Sequence, residues 1–325
     1  MMPSHVSTLG PLLQPGQLKI LKYLYYFLMD LQLDQLRALN AAVTEGTFDA
    51  AARSLRVTPS AVSQRIKALE DAAGRILLQR TKPVRPTESG LAVLRLARQI
   101  ELLAGDTARE LGDVDRPADR PIRVPIAVNA DSLETWVMPA LRQAPAGVCF
   151  EIHREDEEHT TRLLRDGTVM AAITATSSAV QGCRVERLGA MRYRPMASPR
   201  FARTWFADGP TAEAYSVAPV VLFDRKDDLQ DRQLRRRCGQ PVDPPRHYVP
   251  SSAGFAEAIR IGLGWGMLPD LQTRGGRDLV PIDGDSYIDV PLFWQQWKVD
   301  SPALSGVAGA IAAAAAEALS DRPRR

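Results

Sequence analysis

Residues 58–70 read Thr58-Pro59-Ser60-Ala61-Val62-Ser63-Gln64-Arg65-Ile66-Lys67-Ala68-Leu69-Glu70. A threonine oxygen that can accept a hydrogen bond stands before a proline, whose missing N–H costs nothing at the first helical position. The pair therefore predicts a helix starting at Pro59. Val62, Ile66 and Leu69 recur at the helical period and face a core, which leaves Ser60, Ser63, Gln64 and Lys67 on the opposite face. Upstream, Leu33, Leu36, Leu39, Ala42 and Val43 predict a helix that Gly46 stops. Thr47 then caps a short helix from Phe48 to Leu55, whose Ala50-Ala51-Ala52 run lets another helix approach closely, and Arg56-Val57 makes a tight connection. Two short helices joined by a tight turn, the second presenting short side chains that both donate and accept hydrogen bonds, suit a DNA major groove. A plain helical bundle would show the same solvated face, so charge has to decide. Arg53, Arg56, Arg65, Lys67, Arg75, Arg80, Lys82 and Arg85 face only Glu70 and Asp71 within residues 53–85. Such a stripe releases counterions from phosphates.

The rest of the chain is nearly neutral. Its 325 residues carry 41 Lys+Arg against 38 Asp+Glu, a net +3, so any basic partner surface is local. The length suits two domains or more, and 45% hydrophobic with 24% charged residues excludes a disordered or fibrous chain. Cys149, Cys183 and Cys238 lie far apart without C-x-x-C spacing, which excludes a disulfide framework and a zinc ribbon and points to a reducing cytoplasm. Leu18 to Met29 is apolar but interrupted by Lys19 and Lys22, and too short to span a bilayer. Residues 1–29 are read as an extension, either a loose tail or a product of an upstream start, with the working protein beginning near Met29.

Beyond the third helix, Leu77-Leu78-Gln79-Arg80 reads as a short strand. Thr81 to Pro86 reads as a basic, proline-bearing turn: a wing along the phosphate backbone. Thr87 caps a helix from Glu88 to about Leu111 with Leu91, Leu94, Leu96, Ile100, Leu102, Leu103 and Leu111 on a broad apolar stripe. Such a helix needs a partner to be stable, and a second copy of the chain would supply one while reading a palindromic site. Ala51-Ala52-x-x-Leu55, the 58–70 segment, Leu77-Leu78-x-Arg80 and Pro86-Thr87-Glu88-Ser89-Gly90 resemble the winged helix-turn-helix of LysR-type transcriptional regulators. Ala127-Val128-Asn129-Ala130-Asp131-Ser132-Leu133-x-Thr135-Trp136, Glu155-Asp156-Glu157 and Ser251-Ser252 resemble the ArgP/LysG subfamily, regulators of basic amino-acid export. The resemblance covers nearly all of residues 30–320.

Residues 113–121 are polar and proline-bearing, a linker. Strand-like and helical runs then alternate: strand Ile122–Val128, helix Leu133–Gln143, strand Cys149–Ile152, helix Thr160–Asp166, strand Val169–Thr174. A second block holds strand Tyr193–Ala197, helix Pro199–Phe206, strand Val220–Phe223, helix Leu229–Arg237, helix Phe255–Gly262 and strand Trp265–Leu268. Val290–Lys298 is read as an antiparallel edge strand of the first sheet, followed by a closing helix Ala303–Leu319. The expected architecture is an N-terminal all-α winged helix-turn-helix (30–87), a long dimerisation and linker helix with hinge (88–121), and a two-lobed, periplasmic-binding-protein-like α/β effector domain (122–320). Lobe I spans about 122–192 and 288–320, and lobe II about 193–287.

Ligands of open α/β sheets sit beyond the carboxyl ends of the strands. Asn129-Ala130-Asp131-Ser132 follows the first strand and offers an Asp131-x-x-Glu134 capping box. The acidic run 155–158 follows the second strand, and Asp224 and Ser251-Ser252 hold corresponding places in lobe II. A ligand with one carboxylate and cationic groups, lysine or arginine, fits. Asp131, Ser132, Asp156, Glu157, Asp224, Ser251 and Ser252 are the candidates, with Ser132 and Ser252 toward the α-carboxylate and Asp156, Glu157 and Asp224 toward the cation. On DNA, Pro59, Ser60, Ser63 and Gln64 are expected at base edges, and Thr58, Arg65, Lys67, Arg80, Lys82 and Arg85 mostly at phosphates.

Gly262-x-Gly264-x-Gly266 follows a helix rather than a strand, so turn glycines explain it, not a dinucleotide site. His153 and His159 stand six residues apart, on different faces, which argues against a metal. Trp136, Trp265, Trp294 and Trp297 read as core. No Gly-x-Ser-x-Gly elbow is present, so an enzyme is disfavoured. The reading is a ligand-responsive DNA-binding regulator without cofactor or membrane segment, a homodimer or homotetramer, with RNA polymerase as a candidate further partner. The competing reading is a solute-binding protein of the same two-lobed fold, against which the basic stripe weighs.

Overall fold

The structure, a computed structural model, describes residues 31–111, 121–154, 157–273, 276, 278–284 and 286–320. The N-terminal extension and most of the linker lie outside the described residues. The chain divides into two compact units between Thr107 and Ala108.

The first unit is helical. α1 (Leu33–Thr44), α2 (Phe48–Leu55) and α3 (Pro59–Ala73) pack around Leu36, Leu39, Ala51, Val62, Ile66 and Leu69, all buried. Each start has a chemical cause. Thr47 Oγ1 accepts from the Ala50 amide at 3.1 Å and Thr58 Oγ1 from the Ala61 amide at 3.2 Å, as the sequence predicts. Gly74, in the left-handed region, ends α3. β1 (Leu78–Gln79) and β2 (Arg85–Pro86) pair antiparallel as the wing. Gly90 lies in the first turn of α4 (Glu88–Glu110), where Thr87 Oγ1 accepts from its amide at 3.0 Å. Asn40 on α1 ties α4 down, donating to Glu101 at 2.6 Å and accepting from Arg98 at 3.1 Å.

The second unit is built on a mixed sheet in the order β10-β6-β11-β5-β3-β4, with β9 also on β6. β3 (Ile122–Val128) pairs parallel with β4 (Val148–Arg154) and β5 (Ala171–Thr174). β6 (Cys183–Ala197) runs antiparallel to β9 (Gly266–Pro269), β10 (Val280–Pro281) and β11 (Ile288–Trp297). β7 (Val220–Leu222) and β8 (Arg246–Tyr248) form a separate parallel pair. Helices surround these strands: α5 over 130–141, α6 (Glu157–Arg165), α7 (Pro199–Trp205), α8 (Ala212–Val217), α9 (Leu229–Cys238), α10 (Ser252–Arg260), α11 (Asp270–Thr273) and α12 (Pro302–Ala318).

Two expectations need correcting. β11 is not an edge strand, because it pairs with β5 on one side and β6 on the other. β6 begins ten residues before the expected Tyr193, at Cys183. Arg184, Glu186 and Arg187 hide this first half from a hydrophobic-pattern reading, since they lie where β6 has β11 as its strand partner and leave one flank to solvent. The consequence is functional: β6 and β11 run from one lobe into the other, so Tyr193 stands where the lobes meet.

Candidate nucleic-acid interface and interlobe cleft

On the first unit the face of α3 away from the core carries Pro59, Ser60, Gln64 and Lys67, all exposed, with Ser63 half-buried beside them. The Thr58 and Ser60 hydroxyls are 2.9 Å apart. Arg80, Lys82 and Arg85 are exposed on the wing, and the Arg80 guanidinium lies 5.8 Å from the centre of the Phe48 ring. Two charged residues of the stripe have structural work instead. Arg65, expected at a phosphate, pairs with Asp34 at 3.0 Å and joins α3 to α1. Glu70 turns its carboxylate inward and accepts from the Leu77 and Leu78 amides at 2.8 and 3.2 Å. The inward turn of Glu70 removes one of the two acids from the surface stripe, leaving a polar helix face beside a basic wing. That combination offers donors and acceptors for base edges and cations for phosphates.

In the second unit the first strand delivers its loop as expected, with one difference. The cap of α5 is Asn129, whose Oδ1 accepts from the Ser132 amide at 2.8 Å, so Asp131 is not the capping residue. Its carboxylate is thereby free to face the other lobe. Asp131 Oδ2 accepts from the Tyr193 hydroxyl at 2.8 Å, and Asp131 Oδ1 accepts from the Ser252 hydroxyl at 2.7 Å. Gln272 Nε2 donates to Ser252 Oγ at 2.7 Å. Burial, with the Asp131 charge added, holds the Tyr193 phenol well above its ordinary range, so it stays a donor. The Ser132 hydroxyl is fully buried without a partner among the described residues, as are Trp136 Nε1 and Gln272 Oε1. Residues 133–137 form a π-turn within α5, against which α11 packs, so these orphaned atoms lie on two elements in contact.

The other expected residues fall differently. Ser251 is the cap of α10, accepting from the Gly254 amide at 3.3 Å. Asp224 closes a turn by accepting from the Lys226 and Asp227 amides at 2.7 and 3.1 Å, so it is committed locally. Asp156 and the side chain of Glu157 lie outside the described residues. Asp227, Tyr193 and Gln272 are the residues the sequence reading missed. Asp227 accepts from the Phe223 amide at 3.0 Å and the Leu229 amide at 3.2 Å. Burial pushes its carboxyl upward, with the Asp131 charge adding to the effect and these hydrogen bonds opposing it. Neither Asp131 nor Asp227 has a cationic partner among the described residues. Asp131, met by hydroxyls from the other side of the junction and by no cation among the described residues, offers a carboxylate suited to a cation.

Comparison with known proteins identifies the family of both units. The family description "Bacterial regulatory helix-turn-helix protein, lysR family" matches residues 33–91, and "LysR substrate binding domain" matches residues 123–316. The chain is 43% identical over 307 residues to the HTH-type transcriptional regulator LysG of Mycobacterium tuberculosis, covering 92% of this chain and 99% of that one. It is 40% identical over 292 residues to the lysine export transcriptional regulatory protein LysG of Corynebacterium glutamicum, covering 88% and 98%. The full-length structure of LysG from Corynebacterium glutamicum with bound effector Arg aligns with a TM-score of 0.69 at 37% identity, over 89% of this chain and 100% of that one. Helix-turn-helix, wing and two-lobed unit thus match along their lengths, and the chain belongs to the LysR family of bacterial DNA-binding transcriptional regulators.

Proposed function

We propose that this regulator responds to a basic amino acid, lysine or arginine, bound between the lobes of its second unit. One observation carries the reading: Asp131 lies at the lobe junction, bonded to the Tyr193 and Ser252 hydroxyls and without a cationic partner among the described residues. An ammonium or guanidinium group supplies the missing charge, and the buried, unpartnered Ser132 hydroxyl is available to the α-carboxylate. Ser252 gives its one proton to Asp131, which assigns it to the cationic end rather than to the carboxylate end where the sequence placed it. LysG of Corynebacterium glutamicum, which is named a lysine export regulator and whose structure holds the effector Arg, supports the same ligand class. Calorimetric titration of the full-length protein is the test. Lysine or arginine should bind, and norleucine, which lacks the side-chain cation, should bind at least tenfold more weakly. Equal affinity for norleucine would refute a site selected by charge.

The same reading assigns an amino-acid exporter or a related metabolic gene as the regulated target, and the cytoplasm as the compartment. No helix among the described residues is long and apolar enough to cross a membrane. We place the functional boundaries at 30–87 for DNA binding, 88–121 for the linker helix and hinge, and 122–320 for the effector domain. The linker helix joins two copies, since Leu103 is 40% and Leu111 76% exposed at its apolar stripe. RNA polymerase is the further partner an activator would need.

On DNA, α3 reads bases and the wing holds phosphates. Gln64→Ala should cost about 1–3 kcal/mol on the preferred operator and little on random duplex. Lys82→Ala should weaken both alike and lower the slope of log K against log salt by about 0.9. Fluorescence anisotropy across a salt series distinguishes the two. Equal losses for Gln64→Ala on both duplexes would move the reading face elsewhere.

A further inference from the structure

The contacts of Asp131 carry a consequence for how the cleft is controlled. Its carboxylate binds two hydroxyls from the opposite side of the junction, Tyr193 at 2.8 Å and Ser252 at 2.7 Å. The Ser252 hydroxyl is saturated in a fixed sense: it accepts from Gln272 Nε2 at 2.7 Å, so its proton points to Asp131. Ser252 is 6% exposed, and it is not the cap of α10, because Ser251 performs that role. No backbone requirement of the helix therefore explains its hydrogen bond to Asp131.

We propose that Ser252, held by Gln272, is an internal stand-in for the effector. Its hydroxyl occupies the place on Asp131 that the cationic group of the ligand takes, so the pair sets the effector threshold of the regulator. The proposal rests on Asp131 being the acceptor for that cationic group. On binding, the ammonium or guanidinium displaces the Ser252 proton from Oδ1, while Tyr193 keeps its own bond to Oδ2 and holds the carboxylate in orientation. Tyr193 is a positioning residue and Ser252 a competitor. Gln272 sets the competitor's strength through its Nε2 bond to the Ser252 oxygen.

The sign of the effect is opposite to that of an ordinary binding residue. Ser252→Ala removes the competitor but leaves the Ser251 cap intact. Lysine or arginine should then bind the full-length variant about tenfold more tightly than the wild type, the scale of one hydrogen bond to a charged group. Gln272→Met loosens Ser252 without removing it, and should tighten binding in the same direction by about threefold. Titration calorimetry of both variants reads the change, and thermal unfolding verifies that each is folded. Unchanged or weaker binding by Ser252→Ala, or by Gln272→Met if the first variant does not fold, overturns the proposal alone. A wild-type protein that binds neither amino acid, or an Asp131→Asn variant that binds as well as the wild type, overturns the reading of Asp131 and this proposal with it.

Discussion

Gly90→Ala should abolish DNA binding while leaving the effector titration intact. A Cβ at Gly90 would lie 1.9 Å from the Leu77 carbonyl oxygen and 2.9 Å from the Leu77 carbonyl carbon. These are backbone atoms, and they cannot move aside as the tip of a side chain can. The same carbonyl accepts from the Thr87 amide at 2.9 Å, and the Thr87 hydroxyl donates to the Ile76 carbonyl at 2.8 Å, so the strand entering the wing is pinned to the start of α4 from both sides. Overpacking a core costs about 1–3 kcal/mol where side chains yield, and a backbone clash lies at or above the top of that range. A domain of this size unfolds with only about 5–15 kcal/mol in hand. Calorimetry should show the first unit melting at a temperature lowered by ten degrees or more, with anisotropy reporting loss of DNA affinity. The second unit has its own core and should melt as before. An unaltered first transition would mean that the turn of α4 does not rest on Leu77.

The second large effect is expected at Asp131. Asp131→Asn keeps the side-chain shape but removes the charge that faces the ligand and leaves an amide donor pointing toward Tyr193 or Ser252, each of which already donates. Losing one member of a buried charge pair costs about 2–5 kcal/mol, so lysine or arginine affinity should fall by about thirtyfold to several thousandfold. DNA affinity measured without effector should stay within about threefold of the wild type, because the reading face belongs to the other unit. The two readouts together separate a ligand-site defect from general misfolding. A variant that titrates normally would place the effector's cationic group away from Asp131.

Much of the first unit was legible in the linear order of residues because its signals are local. Thr47 and Thr58-Pro59 act within one helical turn, and the period of Val62, Ile66 and Leu69 needs no distant partner. The assignment of Arg65 was not legible, since its partner Asp34 lies 31 residues away on another helix. The same limit explains the acids of the proposed effector site. Asp224 and Asp227 are three residues apart and both follow a strand, and only the turn geometry decides that Asp224 binds its own loop while Asp227 is drawn into the protein. Tyr193 and Gln272 were passed over because a lone tyrosine in a strand and a lone glutamine in a short helix carry no spacing signal.

The sequence alone established a winged helix-turn-helix whose third helix has a polar face, a basic stripe, a long leucine-rich helix and a two-lobed α/β unit, and it singled out Asp131, Ser132 and Ser252. Caps, periods and charge runs are properties of neighbouring residues, and they survive in one dimension. Tertiary structure alone decided that β11 lies inside the sheet, that β6 carries Tyr193 to the lobe junction, and that Ser252 and Tyr193 spend their protons on Asp131. Hydrogen bonds between residues 62 and 121 positions apart depend on how the strands are ordered, and nothing local in the chain encodes that order.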